Sequence, residues 1–402
     1  MDFQKILTEL FSGVVYLASV EGLKTLAMFI IAGVLIYLAI KKDYEPTLLL
    51  PIGFGCILAN LPPAIDAITG AMAPSALGEA GFLTVLFNAG IANELFPVLI
   101  FIAVGAMIDF SPLLKDPSMI FFGAAAQFGI FATFLLSLLL IPALLGETDP
   151  DQIMKLASAI GIIGAADGPT TLFVANHFQL KDYMGPLSVA AYSYMALVPV
   201  IQPPFIKMFT TKKERMIRMD YQEERCSKTT LILFPIIVTI AAGIIVPMSA
   251  PLVGSLMFGN LIRECGVLER LSKTAQNELA NLVTIVLGIT IGGTMVADKF
   301  LQVDTLLIMG LGLVAFIFDT VGGVLFAKFL NIFRKKKINP MIGAAGISAF
   351  PMSSRVIAKM ALKDDPSNFI LMQSTSANVS GQLGSIVAGG MVITLVSMLI
   401  GG

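Results

Sequence analysis

The stretch Gly161-Ile-Ile-Gly-Ala-Ala-Asp-Gly-Pro-Thr170 decides how the rest of the chain is read. It sets one carboxylate, Asp167, in an otherwise apolar run, and Gly164, Gly168 and Pro169 cannot support a regular helix there. A charge in lipid is costly, so an acid inside a membrane segment marks a functional site by default. Irregular backbone at membrane depth survives only where protein buries it or where it lines a watery cavity. A broken helix with an acid at the break is how transporters build cation sites near the bilayer midplane. The stretch predicts a polytopic membrane protein that handles a small cation.

Composition points the same way. Of 402 residues, 56% are hydrophobic and 13% charged, with a mean hydropathy of +0.87. That balance belongs to repeated membrane spans and to no soluble class. A net charge of -1 makes no case for nucleic acid. Cys56, Cys226 and Cys265 form neither a disulfide framework nor a zinc pattern. His177 is the only histidine, which rules out a histidine-based metal site, and no phosphate-cradling glycine loop suggests ATP use. Residues 1–23 lack the basic start of a cleaved signal and read as an amphipathic segment lying on the membrane.

Apolar stretches that resemble spans lie at 25–40, 47–58, 95–108, 119–144, 153–174, 187–209, 230–246, 252–262, 282–296, 306–330, 341–360 and 369–400. The stretches at 47–58 and 252–262 are short enough to be partial, and the last is long enough to be broken. Residues 61–90 read as a loop rich in Pro, Gly and Ala. Lys41 and Lys42, the run from Lys212 to Lys228, and Arg334 to Lys337 are the basic clusters, which the positive-inside rule places in the cytoplasm. Five apolar stretches separate the first cluster from the second, so one of them must fail to cross. The stretch broken at Asp167 is the natural candidate for a re-entrant hairpin.

The halves recur in order. Pro51 to Asn60 resembles Pro251 to Asn260, Val104 to Phe110 resembles Gly292 to Phe300, and Ile163 to Gly168 resembles Ile342 to Ile347. The expected architecture is all-α, with two inverted repeats whose broken or re-entrant helices meet near the midplane. The repeats are expected at 24–209 and 229–402, joined by a basic cytoplasmic loop at 210–228.

Polar groups inside the spans are the candidate site. Asp167 is either a cation ligand or a protonated carboxyl, and the bland alternative is an acid satisfied by helix-end N–H groups. Gly343 is its repeat mate, followed by Ser348, Ser353, Ser354 and Arg355. The hydroxyls suit a sodium ion or simply bond back to their own helix. Arg355 either forks onto a carboxylate or snorkels to the interface. Pro199, Pro203 and Pro204 should break a helix, with Gln202 satisfying the freed carbonyls. Tyr194 could move a proton, ligate an ion or anchor at the interface. Asn378, Ser380, Gln382 and Ser385 supply polar glue or ligands. Asp319 is a weaker mid-span acid without a break of its own.

At these residues the chain resembles the membrane-embedded beta subunit of the sodium-pumping, biotin-dependent decarboxylases of oxaloacetate, methylmalonyl-CoA and glutaconyl-CoA. The resemblance rests on Phe96 to Phe110, Gly164-Ala-Ala-Asp-Gly-Pro-Thr170, Ala190 to Pro199 with Ile201-Gln-Pro-Pro204, and Asn339 to Pro351 with Arg355. It implies a subunit that decarboxylates carboxybiotin on a partner chain, exports sodium and consumes a proton. It implies Asp167 as a sodium ligand, Tyr194 as proton donor, and Asn339, Gly343 and Ser348 as the polar set of the second broken stretch. Arg355 and Asn339 would serve carboxybiotin, and Asn378 and Ser385 would complete the ion site. The implied setting is a multi-pass protein of the bacterial inner membrane. Its partners would be a biotin-carrying subunit, a carboxyltransferase subunit and a small membrane anchor subunit, in an oligomeric complex. The family pattern carries Met-Gly-Pro before the asparagine, whereas this chain has Thr375-Ser-Ala377. That departure bears on the local helix break and on whether the acid is a CoA ester. A sodium-coupled transporter of a small anion, with no chemistry, is the rival reading.

Overall fold

The computed structural model describes residues 12–62, 81–219 and 226–401. Every described element is helical, because a helix satisfies its own backbone in lipid. In chain order the elements used below are α1 (Val20–Lys42), α2 (Pro46–Ala59), α3 (Leu95–Met107), α4 (Phe128–Leu145), α5 (Pro150–Ile162), α6 (Gly168–His177), α7 (Met184–Phe209), α8 (Lys228–Ile245), α9 (Ala250–Glu264), α10 (Ala280–Gly293), α11 (Val303–Phe333), α12 (Met352–Asp364) and α13 (Leu371–Ile400). The chain is a multi-pass membrane protein, with six of its described helices long and apolar enough to cross a bilayer. Burial separates centre from rim. In the most apolar window of α7, 72% of residues are buried, against 6% in α8, so α7 runs through the core and α8 faces outward.

Part of the expected loop at 61–90 is helical. Phe82–Leu86 and Phe87–Ile91 form a bent pair with α3, turned by 63°. Residues 63–80 lie outside the described residues, as do Asp2 and Glu9 of the expected surface segment. α1 begins at Val20, ahead of the expected boundary at 23/24.

The recurrence between the halves reappears in the contacts. α2 of the first half crosses α10 of the second, and α9 of the second crosses α3 of the first. A Cβ on Gly55 would lie 2.2 Å from the Ile289 carbonyl oxygen, and one on Gly105 would lie 1.9 Å from that of Leu256, so only glycine permits either crossing. Asn60 and Asn260, equivalent in the repeat, each cap the chain where the facing helix ends. Asn60 Nδ2 donates to Met295 O at 2.6 Å, and Asn260 Nδ2 donates to Ile108 O at 3.1 Å. This reciprocity supports the inverted-repeat reading.

The stretch at Asp167 folds back as expected. α5 starts with Asp149 as its N-cap, runs inward to Ile162, and passes through the 3-10 turn Ile163–Ala165. Ala166 then adopts a left-handed φ of 51°, which costs a non-glycine residue about 1 kcal/mol or more. The chain reverses there, and α6 packs back along α5. A stretch that folds back in this way does not cross, as the parity of the basic clusters requires of one stretch.

A second hairpin enters from the basic side. Pro340–Gly346 forms a 3-10 segment, the chain turns at Ile347 to Pro351, and α12 returns. Its outer end is clasped by Arg215 Nε to Asp364 at 2.6 Å and Arg218 Nε to Asp365 at 2.7 Å.

Three expectations are corrected. α7 runs unbroken through Pro199, Pro203 and Pro204, and Gln202 bonds outward instead, its Nε2 donating to Ala344 O at 2.9 Å. α13 is likewise a single helix through Thr375 to Asn378, where no proline interrupts it. Asp319 does serve a break, but on a neighbour: its Oδ1 accepts the Ile130 N–H at 3.2 Å, just after α4 starts at Gln127.

Candidate functional site

The two hairpin tips meet. Ser348 N–H donates to Ala165 O at 2.9 Å, and Ser348 Oγ donates to Asp167 Oδ2 at 2.9 Å. Ser385, from the middle of α13, donates to the same oxygen at 2.7 Å. Asp167 Oδ1 accepts the Thr170 N–H at 3.1 Å, so Asp167 is also the N-cap of α6. The carboxylate is 3% exposed and sits at the N-terminus of α6. Both the ligand reading and the bland capping reading of Asp167 thus have geometry behind them.

Three buried oxygens at this junction lack a hydrogen-bond partner: Thr170 Oγ1, Tyr192 Oη and Asn378 Oδ1. Buried polar atoms are rarely left so, and each calls for an explanation. Asn378 is held by its other end, Nδ2 donating to Ile347 O at 2.8 Å beside Ser348. Among the described residues no cluster of three or more His, Cys, Asp or Glu exists. A cation here would meet one carboxylate and several neutral oxygens, a donor set suited to a weakly held monovalent cargo.

Asp167, Tyr192, Ser348, Gln382 and Arg355 line one cavity of about 350 Å³. Arg355 is on the first turn of α12, just past the tip of the second hairpin, and is exposed. The cavity therefore connects the buried carboxylate to an exposed cation.

A family model for the Na+-transporting oxaloacetate decarboxylase beta subunit matches residues 24–396. The chain belongs to this family. It is 47% identical to the methylmalonyl-CoA decarboxylase subunit beta of Propionigenium modestum over 384 residues, covering 92% of this chain and 94% of the relative. It is 44% identical to the oxaloacetate decarboxylase beta chain of Klebsiella pneumoniae over 415 residues, with the same coverage. The Veillonella parvula methylmalonyl-CoA decarboxylase subunit beta is 45% identical over 373 residues. Both substrate types are thus represented at similar identity.

In this beta subunit the remaining expected site residues fall elsewhere. Asn339 is fully engaged at the entrance of the second hairpin, donating to Arg215 O at 2.8 Å and Ile217 O at 3.0 Å while its Oδ1 accepts Met341 N–H. Gly343 is pressed backbone to backbone on Gly323 of α11. Neither faces Asp167. Tyr194 turns away as well, donating to Met309 O at 2.5 Å and stacking on Phe316. Tyr192 takes the position by the carboxylate, its ring lying over Gly168. Two residues on a helix are about 200° apart, so the two tyrosines must face opposite sides. That spacing was legible in the sequence, but which tyrosine faced the acid was not.

Proposed function

We propose that this beta subunit decarboxylates carboxybiotin carried on a partner chain and couples the loss of CO2 to sodium export. The meeting of the hairpin tips through Ser348 and Asp167, in a cavity that also reaches Arg355, carries the reading. Carboxybiotin would enter from the basic side, its carboxylate held by the planar fork of Arg355. The bond between the ring nitrogen and the carboxyl carbon breaks, the carboxyl leaves as CO2, and the electron pair stays on nitrogen, which takes a proton.

Sodium would bind Asp167 Oδ2, with Ser348 and Ser385 turning their hydroxyl hydrogens away and Asn378 Oδ1 offering its free oxygen. The orphaned Tyr192 hydroxyl, in the wall of the same cavity, supplies a further oxygen. Sodium at Asp167 would displace a proton from the Ser348 or Tyr192 hydroxyl to the ring nitrogen, and the oxygen left behind would regain a proton from the far side as sodium leaves, so that one proton is consumed per CO2 released. Asn339 and Gly343 would act one step back, by shaping the second hairpin. The biotin-carrying, carboxyltransferase and small anchor subunits are the partners this chemistry requires. Sodium release on the far side follows from reorientation of the hairpins, an equilibrium that differential binding shifts.

Asp167→Asn keeps the shape and removes the charge. Sodium-stimulated decarboxylation by the assembled complex is expected to be abolished, with assembly intact on size-exclusion. Turnover that still rises with sodium in that variant overturns the assignment.

A further inference from the structure

α12 carries a stripe of like charge. Its buried face is Ser353, Ser354, Val356, Ile357, Ala358, Met360 and Ala361. Arg355, Lys359 and Lys363 stand on the opposite face, all exposed, at i, i+4 and i+8. At 1.5 Å per residue the stripe extends about 12 Å along the helix. Like charges at i, i+4 destabilise a helix by a few tenths of a kcal/mol per pair. On the same side Arg215 is paired with Asp364, Arg218 with Asp365, and Lys328 with Glu214. Arg355, Lys359 and Lys363 have no hydrogen bond or ion pair with any described residue, and neither does Lys207 on α7.

These four side chains line one space. A second cavity, of about 440 Å³, has Lys207, Arg355, Lys359 and Lys363 in its wall, with Asp43 and Glu45 on the facing loop. It shares Glu45, Met352 and Arg355 with the cavity that holds Asp167. A vestibule with four cations and two acids in its wall thus lies beside Arg355. Clefts lined by one sign of charge concentrate the opposite sign and raise association rates by about 10 to 1000-fold.

We propose that Lys207, Lys359 and Lys363 form a docking surface for an acidic partner domain, which they hold with its carboxylated prosthetic group directed at Arg355. The inference rests on the decarboxylase reading and deepens it: the vestibule is where the carrier domain sits, and Arg355 is as far as its arm reaches. Unpaired lysines suit this role because the partner arrives and leaves once per cycle. A pair formed within the chain would compete with it.

The test uses the intact complex with its biotin-bearing subunit carboxylated with labelled carbon. Release of labelled CO2 is followed over a single turnover, at fixed sodium, with and without added choline chloride. Wild type is expected to slow several-fold as ionic strength rises. Lys359→Glu with Lys363→Glu is expected to be about tenfold slower at low salt and nearly insensitive to added salt. Lys359→Arg with Lys363→Arg should restore both the rate and the salt response. Glu variants that release CO2 at the wild-type rate with the wild-type salt response overturn the docking surface, as does failure of the Arg variants to restore either. If the wild-type complex releases no CO2 in response to sodium, the decarboxylase reading itself falls, and the docking proposal falls with it.

Discussion

The two re-entrant hairpins enter from opposite faces and are built differently. The first, α5 and α6, is helical on both arms, and Leu156 to Ala175 are buried without interruption. Its tip presents an acid. The second has no α-helix on its entering arm, only the 3-10 segment Pro340–Gly346, and its returning arm is amphipathic. Its tip presents a serine, and its outer face presents cations. One hairpin is buried and carries a carboxyl at its tip; the other is exposed along one side and carries cations there. Where they touch, a buried carboxylate lines the same cavity as the exposed Arg355. A cation and an anion can then be handled a few residues apart, each by the hairpin that carries the opposite sign.

The entering arm of the second hairpin is the part most easily broken. A Cβ on Gly343 would sit 1.9 Å from the Gly323 carbonyl oxygen, whereas one on Gly161 in the first hairpin would sit 2.7 Å from that of Ile130. Gly343→Ala should cost about 3 kcal/mol, read as a lowered thermal midpoint in detergent, and Gly161→Ala clearly less. Gly310→Ala, where nothing lies within 4 Å, should be neutral or gain up to about 1 kcal/mol from helix propensity. Equal losses at Gly343 and Gly310 would remove the close backbone contact as the reason.

A smaller effect separates the two tyrosines. Tyr192→Phe deletes an unpartnered hydroxyl over the first tip, so the fold should not weaken. The sodium concentration for half-maximal turnover should rise about fivefold, the equivalent of about 1 kcal/mol for one polar contact. Tyr194→Phe should leave sodium activation alone and lose about 1 kcal/mol of stability with the Met309 bond. The reverse pattern would return Tyr194 to the site.

The smallest effect lies at the clasp of the second hairpin. The Arg218 guanidinium bonded to Asp365 holds that carboxyl below the usual carboxylate range. A depressed folded value means the stabilisation is present above the unfolded value and is lost as pH falls through the folded one. The thermal midpoint of wild type should therefore approach that of Asp365→Asn in acid and exceed it slightly at neutral pH. Midpoints that differ equally at both would show that the clasp is not ionic.

The sequence alone determined that this is a helical, multi-pass membrane protein, and it placed an acid, Asp167, at a helix break. Parity of the basic clusters required that one of five apolar stretches fail to cross, and the Asp167 stretch was the natural candidate. These conclusions follow from local composition and spacing, which lipid constrains severely. Only the tertiary structure decided which groups meet. Ser348 and Ser385 lie 181 and 218 residues from Asp167, and no periodicity reports a hydrogen bond across such a distance. The prolines of α7 looked like a break because their cost is local, while the packing that holds a helix straight comes from neighbours. Spacing put Tyr192 and Tyr194 on opposite faces, and Arg355, Lys359 and Lys363 on one, but helical geometry does not say what stands opposite a face. That is set by which helices pack together, and it placed Tyr192 by the acid and the cation stripe in the vestibule.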